Sequence, residues 1–281
     1  MQFKNLEEKC LYYRGLTDYK LLPNSYVMVC IDGRSFSHLI KNKFDKPFDD
    51  NFIDMMNETA KYVCENVQGC KFAYAQSDEV TFVLTDFDTP TTDAFFNYRL
   101  CKMQSIIASL ATAKFNQLMM SYHLETYSYK RLLEDNDDTL YSLNDAIRFI
   151  DNAQLYQFDC RCWTVPTLND VFAYLLWRQI DCVRNSKQQT AQTFLTHKEL
   201  MNKNTDAQIQ LLCEIKSIDW NTFPDSYKYG RFIYKENVLM NNIETNEVYH
   251  RYKWLIHPAF PLMDEYGREK FFNLNVIPKR D

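Results

Sequence analysis

Three carboxylates stand out for the chemistry they could do: Asp32, in "VMVCIDGRSF", and Asp78 and Glu79, in "YAQSDEVTFV". Two such groups brought together at the end of a sheet form an oxygen-rich, high-charge site of the kind that holds hard divalent cations. Unpaired, they repel one another and are costly to bury. Two Mg2+ ions about 3.5–4 Å apart can orient an attacking hydroxyl and stabilise charge on a phosphoryl group in transfer. Gly33 has no Cβ and lets backbone groups approach a metal or phosphate closely. The turn after it, Arg34-Ser35-Phe36, can present N–H groups to a triphosphate, with Lys46 and Arg34 supplying charge. From the residues alone a second reading stays open, in which Asp32 caps a turn and Asp78-Glu79 is a solvated hairpin tip.

The elements that must position these groups follow from period and breakers. Ser25 to Ile31 is a short apolar run that reads as a buried strand ending at Asp32. Phe52, Met55, Met56, Tyr62 and Val63 recur at helical spacing, predicting a helix from Asp49 to Val67 that Gly69 terminates. "KFAYAQ" and "VTFVLT" alternate like strands and are joined by Ser77-Asp78-Glu79, a hairpin with a polar turn. A long helix is expected over Ala94–Met120, a strand over "YQFDCRCW", and, after Pro166, a second long helix over Asn169–Thr193. The acidic, polar stretch Ser128–Asp151 suits an irregular or inserted segment. Strand, helix, strand, strand, helix, strand is the split βαββαβ order of an α+β, ferredoxin-like antiparallel sheet with helices on one face. In such a sheet Asp32 and Asp78 converge although they are distant in sequence. The expected division is a first region over residues 1–165 and a helical and β C-terminal region over 166–281, with one continuous domain as the alternative.

Composition narrows the classes. A chain of 281 residues with 46% hydrophobic residues can bury a substantial core, and five Gly and eight Pro disfavour turn-rich propellers. No window approaches the roughly 18 apolar residues of a membrane span, and Met1-Gln-Phe-Lys lacks a signal-peptide core, so the expected location is cytoplasmic with an organelle left open. Nine scattered Cys argue for reduced thiols. Cys160 and Cys162 share a strand face but make a poor metal site without further partners. A net charge of −5 weakens any case for a broadly basic, nucleic-acid-binding surface, while leaving room for a local track such as "YKYGRFIYK" or "HRYKW".

Taken together in order, "IDGRSF", "KPFD" and "YAQSDEVTFV" resemble the tRNA-His guanylyltransferase (Thg1) family, in particular its Thg1-like branch, and "WRQIDCVRNS", "LTHKEL" and "DWNTFPDSYKYGRFIYK" extend the likeness over most of the chain. The resemblance implies a palm-like fold and template-dependent 3′–5′ addition of nucleotides to the 5′ end of tRNA, with two Mg2+ ions and with ATP, GTP and other NTPs as substrates. It implies that Asp32, Asp78 and the Gly33 carbonyl hold metal, with Glu79 beside them in the catalytic set. Lys46 corresponds to a lysine near the nucleotide phosphates, and Arg34, Ser35, Phe36, Asp49 and Ser77 to the nucleotide-binding segments, with Gln76 shaping the hairpin. Asn185 falls near the activated 5′ end, and Arg161, Arg178 and Lys198 are weaker candidates for tRNA or phosphate contact. The family is commonly tetrameric, which implies a homotetramer that assembles its basic surface jointly.

Two departures bear on specificity. Enzymes specific for tRNA-His carry a "HINNLYN"-type segment where this chain reads "CVRNSKQQTAQ", and their "KPND" is "KPFD" here, with Phe48 near the expected base pocket. Obligatory guanosine addition to tRNA-His is therefore the alternative activity, and repair of 5′-truncated tRNA the favoured one. A palm-type nucleotide cyclase would use the same carboxylates, and an RNA-binding module on a related sheet would have no need for them.

Overall fold

The computed structural model describes residues 3–134, 153–241 and 247–280. Six strands, β1 (Tyr26–Gly33), β2 (Cys70–Gln76), β3 (Glu79–Leu84), β4 (Phe158–Val165), β5 (Arg231–Asn241) and β6 (Val248–Pro258), form one antiparallel sheet. Helices α1 (Leu6–Gly15), α2 (Phe36–Lys43), α3 (Asp50–Asn66) and α4 (Leu100–Glu134) belong to its first half. After β4 come α5 (Leu168–Phe194), α6 (His197–Leu200), α7 (Thr205–Lys216), α8 (Asp225–Lys228) and α9 (Glu265–Asn273).

The strand order is β4-β1-β3-β2-β5-β6. Its first four members are the expected βαββαβ arrangement, and the late β5–β6 hairpin extends the same sheet by pairing β5 with β2. β1 is central and apolar along its length because both of its faces are covered. Val27, Val29 and Ile31 join Met56 and Ala60 of α3 and Phe115 of α4 in one core. Met28 turns the other way, with Phe72 and Tyr74, toward Val171, Phe172 and Leu175 of α5 and Phe271 of α9. The two crossover helices thus occupy one face, as expected, and the C-terminal region closes the other.

Local signals account for the helix ends near the cleft. The Asp49 carboxylate accepts from the amides of Asn51 and Phe52 and starts α3. Thr167 and Asp170 form a reciprocal capping box at the start of α5. Three boundaries differ from expectation. β1 runs on through Gly33, because Asp32 is paired on both sides, with Glu79 and with Asp159. The long helix expected from Ala94, α4, begins at Leu100, after a 3-10 turn over Phe95–Tyr98, and continues to Glu134. It therefore enters the stretch expected to be irregular, whose remainder, 135–151, lies outside the described residues. No helix among the described residues is long and apolar enough to cross a membrane.

Candidate active site

The end of β1 meets the β2–β3 turn directly. Asp32 lies opposite Glu79 in the β1–β3 register, and the Gly33 amide donates to the Asp78 carbonyl at 3.1 Å. Ser77, at φ 46°, turns the chain so that Asp78 follows at once. On the other side, the Arg34 amide donates to the Gln157 carbonyl at 2.9 Å, tying the segment after β1 to the approach of β4. Gly33 is required by packing: a Cβ there would stand 2.4 Å from the Phe36 ring. That ring cannot easily yield, since it packs against Phe52, Phe115 and Phe158.

The carboxylates are electrostatically strained. Asp32 is pushed up to about 6, first by burial and then by the charges of Asp78, Glu79 and Asp159. Burial likewise raises Asp78. Arg161 is exposed and pairs with Asp159 at 3.6 Å, and among the described residues no Lys or Arg forms an ion pair with Asp32 or Asp78. Glu79 is different. Both its oxygens are taken by Arg178, from Nε and Nη2 at 2.7 Å each, a fork geometry that also fixes orientation. Gln76, with its amide oxygen toward the guanidinium, accepts from Arg178 Nη2 at 2.7 Å and donates to the Arg178 carbonyl at 2.8 Å. The third carboxylate is thereby neutralised, and no three His, Cys, Asp or Glu side chains among the described residues are arranged to hold a metal ion between them.

These groups open onto a cavity of about 170 Å3. Asp32, Gln76, Ser77, Asp78 and Glu79 line it. Asp45, Pro47, Phe48 and Asp49, from the α2–α3 connection, also line it, as do Phe52 and Ile53 of α3. The Lys46–Pro47 peptide in this connection is cis. Asn185 and Gln189 of α5 border the cavity, and Gln189 Nε2 holds the Pro47 carbonyl at 2.6 Å. Phe48 stacks on Tyr227, ring centres 4.6 Å apart at 28°, and meets Phe223 edge-on at 6.0 Å. The Tyr227 hydroxyl donates to Asp50, which raises Tyr227 to about 12.

The sequence candidates divide accordingly. Asp32, Asp49, Ser77, Asp78, Glu79, Arg178 and Asn185 come together around one space. Gly33 supports it from behind. Lys46 is exposed and does not line the cavity, although both its neighbours do. Arg34 and Ser35 lie instead in a separate groove with His38 and Asn42 of α2, where Arg34 Nη1 donates to Gln157 Oε1 at 3.2 Å. The Phe36 side chain is in the core, so only its main chain could meet a nucleotide. Arg161 on β4 and Lys198 on α6 are exposed and lie outside the cavity lining. Gln189, Tyr227 and Arg231 line the cavity without having been singled out. For Arg231 a signal existed in Gly230, at φ 83°, where a Cβ would come 2.6 Å from the Ala75 carbonyl.

Two aspartates at adjoining strand ends of a ferredoxin-like sheet, opening on one shared cavity, are the arrangement of a palm-type nucleotidyltransferase. The family model described as tRNAHis guanylyltransferase, Thg1, matches residues 8–166. The chain belongs to that family. It is 29% identical over 279 residues to an uncharacterized protein of Acanthamoeba polyphaga mimivirus, covering 92% of this chain and 88% of the relative. It is 27% identical over 260 residues to a probable tRNA(His) guanylyltransferase of Dictyostelium discoideum, covering 89% and 90%. Among solved structures, a bacterial tRNA(His) guanylyltransferase (Thg1)-like protein in complex with ATP superposes with a TM-score of 0.75 at 28% identity, covering 97% of this chain and 99% of that one. A complex with GTP gives 0.69 at 27% identity, with the same coverage.

Proposed function

We propose that this protein adds nucleotides to the 5′ end of tRNA in the 3′–5′ direction, guided by the opposite strand, and so repairs 5′-truncated tRNA. The observation that carries the reading is the convergence of Asp32 and Asp78 on one cavity at the ends of β1 and the β2–β3 turn. The family membership and the ATP and GTP held by the bacterial relative support nucleotides as ligands. The templated form is favoured because the wall that carries Phe48 is aromatic: a stacking surface accepts any base and leaves selection to pairing.

Mg2+ fits the donor set. Asp32 and Asp78 are hard oxygen ligands, both raised first by burial and Asp32 further by neighbouring carboxylates, and Mg2+ is commonly held by one or two carboxylates plus substrate phosphates and water. Asp32, Asp78 and the Gly33 carbonyl would hold it, where it would supply positive charge to the reacting phosphoryl oxygens. The chain's own residues do the remaining work. Gly33 keeps the backbone close behind the carboxylates, and Arg178 removes the charge of Glu79 so that it does not repel phosphate. Asn185 borders the space where a 5′ end would lie. With a net charge of −5, the chain would bind tRNA through a local basic surface, assembled across a homotetramer.

The test is incubation with Mg2+, labelled NTPs and a 5′-truncated tRNA. Extension complementary to the acceptor strand, lost in Asp32→Ala and Asp78→Ala, is expected. A single guanosine added only to tRNA-His would support the alternative activity, cyclic nucleotide without extension would make the protein a cyclase, and RNA binding with no product would make it a binding module.

A further inference from the structure

Five residues of α5 line the cavity, Arg178, Cys182, Asn185, Ser186 and Gln189, at the spacing of one helix face. The two at the ends of that row hold other parts of the chain. Arg178 takes both oxygens of Glu79, next to Asp78, and Gln189 Nε2 donates to the Pro47 carbonyl at 2.6 Å. At 1.5 Å per residue, Gln189 lies about 16 Å beyond Arg178 along the helix axis. One helix thus joins the acidic turn at one point and the α2–α3 connection at another.

The helix itself is pinned. Gln179, fully buried, donates to the Phe260 carbonyl at 2.9 Å and accepts from the Leu262 amide at 2.6 Å. Ser186 accepts from Trp220 Nε1 at 2.9 Å. A side chain carried on so fixed an element holds what it touches in a set place. Among the described residues, 45–48 make one hydrogen bond within the α2–α3 connection, from the Asp45 amide to the Asp49 carboxylate, and one that leaves it, the bond from Gln189 to Pro47. Phe48 is the next residue, and its ring rests on Tyr227 and Phe223.

We infer that Gln189 is a positioning residue for nucleotide addition: through the Pro47 carbonyl it sets where Phe48 stands relative to the Asp32 and Asp78 pair. The inference rests on the cavity being the site of that reaction. Gln189 acts on the fit of the nucleotide before reaction, so its loss shows in KM. The two aspartates stay where β1 and the β2–β3 turn put them, so kcat is little changed.

Steady-state kinetics of 5′ nucleotide addition test this, on whichever tRNA the wild-type protein extends. Gln189→Met keeps the length of the side chain without a donor, and Gln189→Asn keeps an amide one methylene short. Each should raise KM for the NTP about fivefold, as for loss of one neutral hydrogen bond, with kcat within about twofold of wild type. Phe48→Ala alone should raise KM about tenfold, and because Gln189 works through the connection that carries Phe48, the double variant Gln189→Met with Phe48→Ala should stay near tenfold. An unchanged KM in both single variants overturns the inference, and a lowered Tm beside it would make the bond one of stability alone. A double variant near fiftyfold overturns it too, since independent effects multiply and Gln189 would then act without Phe48. Wild-type protein that extends no tRNA would remove the reading of the cavity, and the inference with it.

Discussion

Arg178 on α5 grips Glu79 at the start of β3 through two hydrogen bonds of 2.7 Å, with side chains only 13% and 19% exposed. The acid expected to stand beside the metal-binding pair is thus committed to a cation from the C-terminal region. Removing either partner strands the other. Arg178→Ala is expected to destabilise the protein by about 3 kcal/mol, and Arg178→Met combined with Glu79→Gln by less. Urea unfolding of the single and double variants checks this, and equal losses in both would show that the pair is not coupled.

Activity should depend on Asp32 and Asp78 far more than stability does. Asp32→Asn and Asp78→Asn keep the volume of each side chain while removing its charge. Nucleotide addition should drop by about a thousandfold or more, as when a principal source of transition-state charge stabilisation is lost. Circular dichroism should show the fold retained.

The same pair predicts a pH effect in protein stripped of metal with a chelator. Asp32 ordinarily ionises near 3.8 and is pushed up to about 6 in the fold. Between those values the folded chain keeps a proton that the unfolded chain has released, so this residue's stabilising contribution falls as pH rises from about 4 to about 6. Asp32→Asn has no such loss. Its Tm should therefore gain on that of wild type across this window and hold the gain above it. Adding Mg2+ at pH 7 should raise the Tm of wild type and leave that of Asp32→Asn combined with Asp78→Asn unmoved.

Gly33→Ala tests the packing behind the site. The added methyl would meet the buried Phe36 ring, so a loss of about 1–3 kcal/mol is expected from overpacking. Phe36→Leu in the same chain should restore part of it. Thermal melts of the two variants decide the matter, and a neutral Gly33→Ala would show that the ring moves freely.

Phe48→Ala should raise KM for the incoming nucleotide about tenfold with little change in kcat, since stacking on one aromatic ring contributes about 1–3 kcal/mol to binding. Steady-state kinetics with each NTP reads both constants. A fall in kcat at constant KM would place Phe48 in the chemistry instead of in the wall.

Much of the palm was legible because its signals are local. The β1 run, the 3.6-residue period of α3 and the polar tip of the β2–β3 hairpin each sit within a few residues, and a simple topology then brought Asp32 to Asp78. α2 was missed because "SFSHLIKNK" buries only Phe36 and Leu39 over eight helical residues, too few to set a period. The β5–β6 hairpin looked like solvated basic and aromatic segments, and from Lys235 onward β5 does alternate into solvent. Its first four residues are buried only because β2 has an edge left to pair, a condition set far away in the chain. Arg178 was visible as a helix-surface cation, but its partner is a tertiary fact. For Asp49, the pattern located the residue while the structure supplied a further duty, capping α3.

Pairing β5 with β2 has a consequence in time. A chain made from its N terminus presents Asp32 and Asp78 long before Tyr227 and Arg231, which complete the cavity, have been polymerised. At about 5–20 residues per second, the 199 positions from Asp32 to Arg231 take roughly 10–40 s to synthesise. Throughout that interval β2 has an open edge, and Phe72 and Tyr74 await Phe232 and Phe271. A nascent chain therefore carries its acidic pair as an exposed half-site until the β5 segment that walls the cavity has been made.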